Sequence, residues 1–443
     1  MHRLAGTGGF MTVIASFALG MLAVLMMISG SAVDAWAAEV ITACVDQAGH
    51  VRIVSSTETC RQNETPLQWN VTGQQEVTSQ PLNMTVNCGG GETVANALAR
   101  GATTTNRLTI TVVGVCQESV TVSRDGITLQ GAAVGDGLSA PTPTSTILSV
   151  MGQRINLNQL TLTGGAQGIS AFRGAAFVAS NIHVTGFSGS GIALTQGAAA
   201  SLSNSTIENG GVNATGVSIF TNASLTMVGG FIQNNFIGIN AGGGGSAQLN
   251  NGATIRGHSF IGGLATSGGS IQLNNSITEN NGGQGLHAFT GGTVWLSGSS
   301  AVSRNNSGTG IIAQGGAAIV TAGARVANNN AGVHADNSGS VMLQSGAIVE
   351  NNTGFGVYAT GGGSVAMQDQ VIVRGNTGDG VRLRDTTVLQ FMSPGGSQIV
   401  NNGGAGVACD PAPAVAMVAG SMNLVTVTVS GNSAAQIACP VTF

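Results

Sequence analysis

Short alternating apolar pairs, separated by turn residues, repeat along most of this chain, and each repeat opens on a glycine followed by Ile, Val or Leu. The pairs are Gly168-Ile169, Gly191-Ile192, Gly216-Val217, Gly238-Ile239, Gly263-Leu264, Gly285-Leu286, Gly310-Ile311, Gly332-Val333, Gly356-Val357, Gly380-Val381 and Gly406-Val407. The steps between them are 23, 25, 22, 25, 22, 25, 22, 24, 24 and 26 residues. A period in the low twenties predicts a solenoid with one small supersecondary unit per repeat. In the repeat GVYATGGGSVAMQDQVIVRGNTGD, residues 356–379, alternation places Val357 and Ala359 inward on a first strand and Val365 and Met367 on a second, while Val371 and Val373 bound a third. Coils stacked about 4.8 Å apart make about thirteen repeats a rod roughly 60 Å long.

Two polar columns accompany the apolar ones. The turn after the third strand carries Asn209, Asn234, Asn280, Asn305, Asn328, Asn351 and Asn401. Asparagine tolerates left-handed turns and its amide can pair with the coils above and below, so this column is structural. One position earlier stand Arg256, Glu279, Arg304, Ala327, Glu350 and Arg374, a ladder of opposite charges that makes Glu279 and Glu350 poor catalytic candidates.

Composition narrows the class. Of 443 residues 70 are Gly, 7% are charged and none is lysine, a composition that makes little helix. A net charge of -4 argues against nucleic-acid partners. Residues 1–37 read as a secretory signal, with Arg3, an apolar stretch from Phe10 to Ile28 and Ala35-Trp36-Ala37 as cleavage site, so the mature chain begins at Ala38 with no membrane span and is secreted, periplasmic or on the cell surface; the alternative is that the apolar stretch stays as an uncleaved membrane anchor. Ile41-Thr42-Ala43-Cys44 looks like a lipid-attachment box but lies too far past the apolar stretch.

All six cysteines fall in the mature part, and an even count in an exported chain suggests disulfides. Cys409 and Cys439 share one inward column on successive coils, which predicts a bond between them across about 5 Å. Cys44 with Cys60, and Cys88 with Cys116, each close a short local loop.

Cys44 to Asn70, CVDQAGHVRIVSSTETCRQNETPLQWN, lacks the glycine period and resembles the small CV…G..RIV…C…WN module of many exported bacterial proteins; residues 38–70 therefore form a small disulfide module, and 71–81 a linker. From Leu82 the chain reads MTVNC, GETVANALARG and LTITVVGVC, and Glu92 to Arg100, with Val94, Ala97 and Leu98 at helical spacing, is a helix fit to cap an open solenoid end. This opening and the repeats, over residues 82–443, resemble the right-handed parallel β-helix of the pectin-lyase-like superfamily. The resemblance implies an all-β fold of three-strand coils and leaves activity open, since that superfamily includes lyases, hydrolases, epimerases, adhesins and inert spines.

Catalytic signatures are absent: there is no phosphate-cradling loop, HExxH, paired CxxC, or DPxD as in mannuronan epimerases. His258 in RGHS reads as a solvated turn residue. The outward row of the first strand, two residues after each repeat glycine, runs Ser170, Ala193, Ser218, Asn240, Ala265, His287, Ile312, His334, Tyr358, Arg382, Ala408, and the next outward row ends Phe289, Gln314, Asp336, Thr360, Arg384, Asp410. From His287 onward this face gathers two histidines, the single tyrosine and an arginine pair.

In β-helices that act on polysaccharides the groove usually follows that face, so the resemblance implies a ligand site of His287, Phe289, His334, Asp336, Tyr358, Arg382 and Arg384. Both arginines would pair uronate carboxylates, Tyr358 and Phe289 would stack on sugar rings, and His334 or Tyr358 would move a proton. Lyases of the superfamily commonly bind calcium through clustered carboxylates. Here Asp336, Asp379 and Asp385 fall on three coils, so no metal or other cofactor is implied. On the second strand Trp295, Ile319 and Met342 form an outward apolar stripe suited to self-association or another contact. The expectation is a non-catalytic surface protein that binds glycans or acts as an adhesive spine; the alternative is a lyase or hydrolase working on an acidic glycan at the first-strand face.

Overall fold

The computed structural model describes residues 40–46, 50–55, 58–70, 81–102, 107–392, 395–410, 416–419 and 427–439. The signal and its cleavage site, the linker 71–80 and most of the Pro411 to Gly420 insertion lie outside them. The chain divides into two compact units, Met1–Ser79 and Gln80–Phe443. The first contains a three-stranded antiparallel sheet ordered Val51–Val54, Val40–Asp46, Glu64–Asn70, with Cys44 bonded to Cys60 and Arg52 paired to Glu58 and Glu64.

The second unit is a right-handed parallel β-helix. Its first sheet has 14 strands from Val120–Val122 to Ile437–Ala438, its second has 15 from Leu82–Asn87 to Ala416–Ala419, and its third has 14 from Val115–Gln117 to Val427–Ser430. Alternation decides what each strand buries: Val357, Ala359, Val365, Met367, Val371 and Val373 are all at most 1% exposed, and the same inward columns join into one continuous core.

The N-terminal end is closed by the helix Val94–Gly101, which starts two residues and ends one residue later than expected. Thr93 caps it through Asn96 N–H, and Glu118 accepts the Val94 and Ala95 N–H groups at 2.7 and 3.0 Å, satisfying donors that a helix start leaves unpaired. Val94 and Ala97 bury themselves over the first rungs, and Cys88–Cys116 ties this cap to the third sheet. At the other end Cys409–Cys439 joins neighbouring rungs, Cα atoms 4.9 Å apart.

In one coil the register differs from the sequence expectation. The strand pairing aligns Ile239 with Gly263 and Gly263 with Leu286, so Gly262, not Gly263, holds the repeat-glycine column. The outward residue here is therefore Leu264, while Ala265 is buried. A glycine pair gives no side chain from which to read the phase, and a slip of one residue exchanges the two faces.

The expected asparagine column is left-handed, with φ of 54–57° at Asn209, Asn234, Asn280, Asn305, Asn328, Asn351 and Asn401; Gly164, Gly186, Gly257, Gly375 and Gly431 take the same turn position in other coils. Stacking by amides occurs one residue later, where Asn281, Asn306, Asn329, Asn352, Asn376, Asn402 and Asn432 are buried. Each Nδ2 donates to the Oδ1 of the next rung, from Asn281 to Asn432, at 2.8–3.2 Å. The same Oδ1 also receives the backbone N–H of the rung before it, as in Asn329 N to Asn352 Oδ1 at 2.9 Å.

His258 occupies this ladder. The sequence expectation of a solvated turn residue is wrong: it is 1% exposed, its Nδ1 accepts the Asn235 N–H at 3.1 Å and its Nε2–H donates to Ile232 C=O at 3.0 Å. The imidazole thus presents one acceptor and one donor where asparagine presents Oδ1 and Nδ2. Burial pushes its pKa down to about 4.

On the third sheet the charged ladder forms in part. Glu279 pairs with Arg304 at 2.8 Å. Glu350, 2% exposed, is held between Arg374 and Arg325, the latter reaching from two residues before Ala327. Arg256 instead lies over the Phe231 ring at 4.2 Å and donates to Gln233.

Asn329→Ala should lower stability by about 3 kcal/mol, because it strands buried donors and acceptors on both sides, whereas Asn328→Gly should stay within about 0.5 kcal/mol. Chemical-denaturation midpoints of the two variants check this. The His258 effect has a definite sign. Its folded pKa lies below the ordinary 6.5, so its contribution is complete above that pH and declines as pH falls toward 4, by about 3 kcal/mol in all. His258→Asn should flatten that part of the stability–pH profile, as read by melting temperature from pH 7 to pH 4.

Candidate functional site

Every outward side chain on the first sheet meets its counterparts one rung away, and the register puts His334, Tyr358, Arg382 and Ala408 in one column. The His334 and Tyr358 rings stack at 4.8 Å with planes 22° apart. Phe355, in the turn before that strand, extends the stack, 5.2 Å from Tyr358, and the Arg382 guanidinium lies 4.9 Å over the Phe355 ring.

The neighbouring column holds Asp336, Thr360, Arg384 and Asp410. Thr360 donates its hydroxyl to Asp336 Oδ1 at 2.8 Å and stands 3.1 Å from His334 Nε2. Since the Thr360 proton goes to the carboxylate, His334 Nε2 is the donor to Thr360, which leaves Nδ1 as the ring's acceptor. Gln314 donates to the other oxygen of Asp336. Burial keeps His334 below its ordinary pKa against the pull of Asp336, so it is neutral at pH 7.

The arginines are not the matched pair that the sequence suggests. Arg382 is bound by Asp410 at 2.6 Å and Asp379 at 3.4 Å, which takes it out of use as a free uronate clamp. Arg384 is the exposed one; the Tyr358 hydroxyl chiefly raises its pKa, and Asp410 lies 3.9 Å from its Nε. Counting Arg382 and Arg384 against Asp336, Asp379, Asp385 and Asp410, two cations against four anions, leaves this face with a charge of about -2, unfavourable for a polyuronate.

His287 and Phe289 are close to each other, ring centroids 5.5 Å apart, but the Ile312 and Gln314 rung separates them from His334 and Asp336. Both His287 ring nitrogens are buried without a hydrogen bond, and burial lowers its pKa. The site therefore contracts to His334, Tyr358, Arg382 and Arg384 with Asp336. It gains Phe355, Thr360, Asp379 and Asp410. Phe355 and Asp379 lie in turns outside the strand rows, so only their place directly before Gly356 and Gly380 pointed to them.

On the second sheet Trp295, Ile319 and Met342 do occupy consecutive outward positions. Trp295 is 36% exposed while Ile319 and Met342 are half-buried, each sheltered by its neighbours in the column.

The Arg382 guanidinium, hydrogen-bonded to Asp410, holds that carboxyl below the usual range. Arg382→Gln should raise the Asp410 pKa toward about 3.9, measured by NMR titration of its side-chain carbonyl. An unchanged value would show that the pair does not form in solution.

Among curated proteins none matches the chain by sequence. Among solved structures it is similar to the A-modules of two mannuronan C-5 epimerases of Azotobacter vinelandii. AlgE6 is 15% identical, with a TM-score of 0.41 over 77% of this chain and 94% of that one. AlgE4 is 12% identical, with a TM-score of 0.43 over 79% and 91%. The catalytic domain of a GH87 α-1,3-glucanase is 13% identical, with a TM-score of 0.34 over 86% and 75%. The family described as a right handed beta helix region matches residues 261–412, the part of the chain that carries the His334–Tyr358 face.

Proposed function

We propose that this protein is exported and engages a polysaccharide along the outer face of its first sheet, at the platform formed by His334, Phe355 and Tyr358. The observation that carries this reading is the stack itself. His334 and Tyr358 stacked across two rungs, with Phe355 tilted against Tyr358, form a half-buried aromatic patch, and the polar groups at its margin, Thr360, Asp336, Arg384 and Asp410, suit sugar hydroxyls. The negative charge of the face favours a neutral glycan over the acidic one suggested by the arginine pair. No helix among the described residues is long and apolar enough to cross a membrane.

A second reading, that the same face transforms the glycan, has one observation in its favour. The Asp336–Thr360–His334 relay fixes the imidazole tautomer and leaves Nδ1 ready to accept a proton beside the Tyr358 phenol. In this reading His334 is the base and Tyr358 a proton donor, whereas in the binding reading both are contact surface.

Calorimetry with neutral and uronate hexasaccharides tests the main reading. A neutral hexamer should bind at least tenfold more tightly than the uronate, and Tyr358→Ala should weaken it by about tenfold. Equal affinity in Tyr358→Ala would remove this face from consideration. Chromatography of the incubated glycan separates the two readings: if product appears and is lost in His334→Asn and Tyr358→Phe while binding persists, the protein is an enzyme.

A further inference from the structure

We propose that the outer face of the second sheet, at its N-terminal end, is a separate binding site for a linear glycan bearing carboxylate or sulfate groups. A groove of about 720 Å³ lies there, with Arg107, Thr128, Arg154, Asn156, Ser201 and Thr226 among its lining residues. The register stacks the residues before Leu108, Ile127 and Ile155 on successive rungs, so Arg107 and Arg154 face each other across Gly126, two rungs or about 10 Å apart. From the Arg107 rung to the Ser224 rung is five steps, about 24 Å, so the groove runs along the stacking direction across successive rungs.

Charge marks this groove out. Most other arginines of this unit are spent on carboxylates or rings, as at Arg304, Arg325, Arg374, Arg382 and Arg256. Arg107 and Arg154 are exposed, and neither guanidinium has an acidic partner among the described residues. Asp125, beside Gly126, turns its Oδ1 to the Arg154 backbone N–H at 2.6 Å. Two unpaired guanidiniums at a fixed spacing are suited to two anionic groups on one chain.

The lining favours a glycan over a peptide. A groove on the face of a sheet has no free backbone edge, because the strands beneath it are paired on both sides, so a peptide could not add itself as a strand. Recognition must come from side chains, and here these are the hydroxyls of Thr109, Thr128, Ser201 and Thr226 and the amide of Asn156, with Val178 among them to meet an apolar sugar face, over a floor of Ala176, Ala199 and Ala200. This site is independent of the first-sheet platform and has the opposite electrostatic preference.

The test uses the full chain with three fluorescent hexasaccharides: a polyuronate, a neutral glucan, and the same glucan sulfated. At least one anionic hexamer should bind at this groove, and whichever of the two binds more tightly identifies the acidic group. Arg107→Gln and Arg154→Gln should each weaken that binding at least fivefold. Ala199→Trp, on the outer surface where it fills the groove without entering the core, should abolish it. Tyr358→Ala should leave it unchanged, which separates it from the platform. Melting temperatures within a degree or so of the parent establish that the variants fold. The proposal is overturned if the neutral hexamer binds in the groove as tightly as the anionic ones, if the double arginine variant keeps full affinity, or if oligoglutamate displaces the glycan at equal charge concentration.

Discussion

The structure depends on one constraint: each rung of a parallel β-helix must satisfy the polar groups of the next across a gap of about 4.8 Å. Strand ladders do this on three sides. At the corner after the third strand the backbone ladder is interrupted at one residue, and there the buried amides take its place, each from Asn306 to Asn402 receiving a backbone N–H and an amide N–H from one neighbour while donating to the other. A buried amide that misses its partner costs more than it gains when paired, so the ladder holds the coils in a single register. His258 obeys the same rule with different atoms, and this makes one rung sensitive to acid.

Fixed register turns sequence period into surface columns. Outward residues one repeat apart become neighbours, which is why isolated aromatics such as His334 and Tyr358 become a stack, and why Asp336, Thr360 and His334, spread over 27 residues of chain from 334 to 360, form a relay. Few charges are available, and most neutralise each other on adjacent rungs. What remains unpaired therefore carries information. The first-sheet face is left negative and aromatic, and the N-terminal part of the second-sheet face carries the unpaired Arg107 and Arg154 among hydroxyls.

The ends of the β-helix need separate solutions because a terminal rung exposes strand edges and core together. At the N-terminal end the helix Val94–Gly101 covers the core and is itself capped by Glu118 from a later rung, with Cys88–Cys116 fastening it. Cys409–Cys439 plays the corresponding part near the C-terminal end, where it ties the strand Val407–Cys409 to the next rung.

Sequence by itself determined the architecture: the glycine-apolar period specifies a coil, strict alternation specifies which side chains point in, and the left-handed asparagines mark the corner, all because these are local consequences of backbone geometry repeated at fixed spacing. The column positions of His334, Tyr358, Arg382 and Arg384 were legible for the same reason. Only the tertiary structure decided what those residues face. The phase of the Gly262-Gly263 coil, the burial of His258, the capture of Arg382 by Asp379 and Asp410, and the arrival of Phe355 from a turn all depend on contacts between rungs, and a period specifies which residues stack without specifying how their side chains share hydrogen bonds, charge and space.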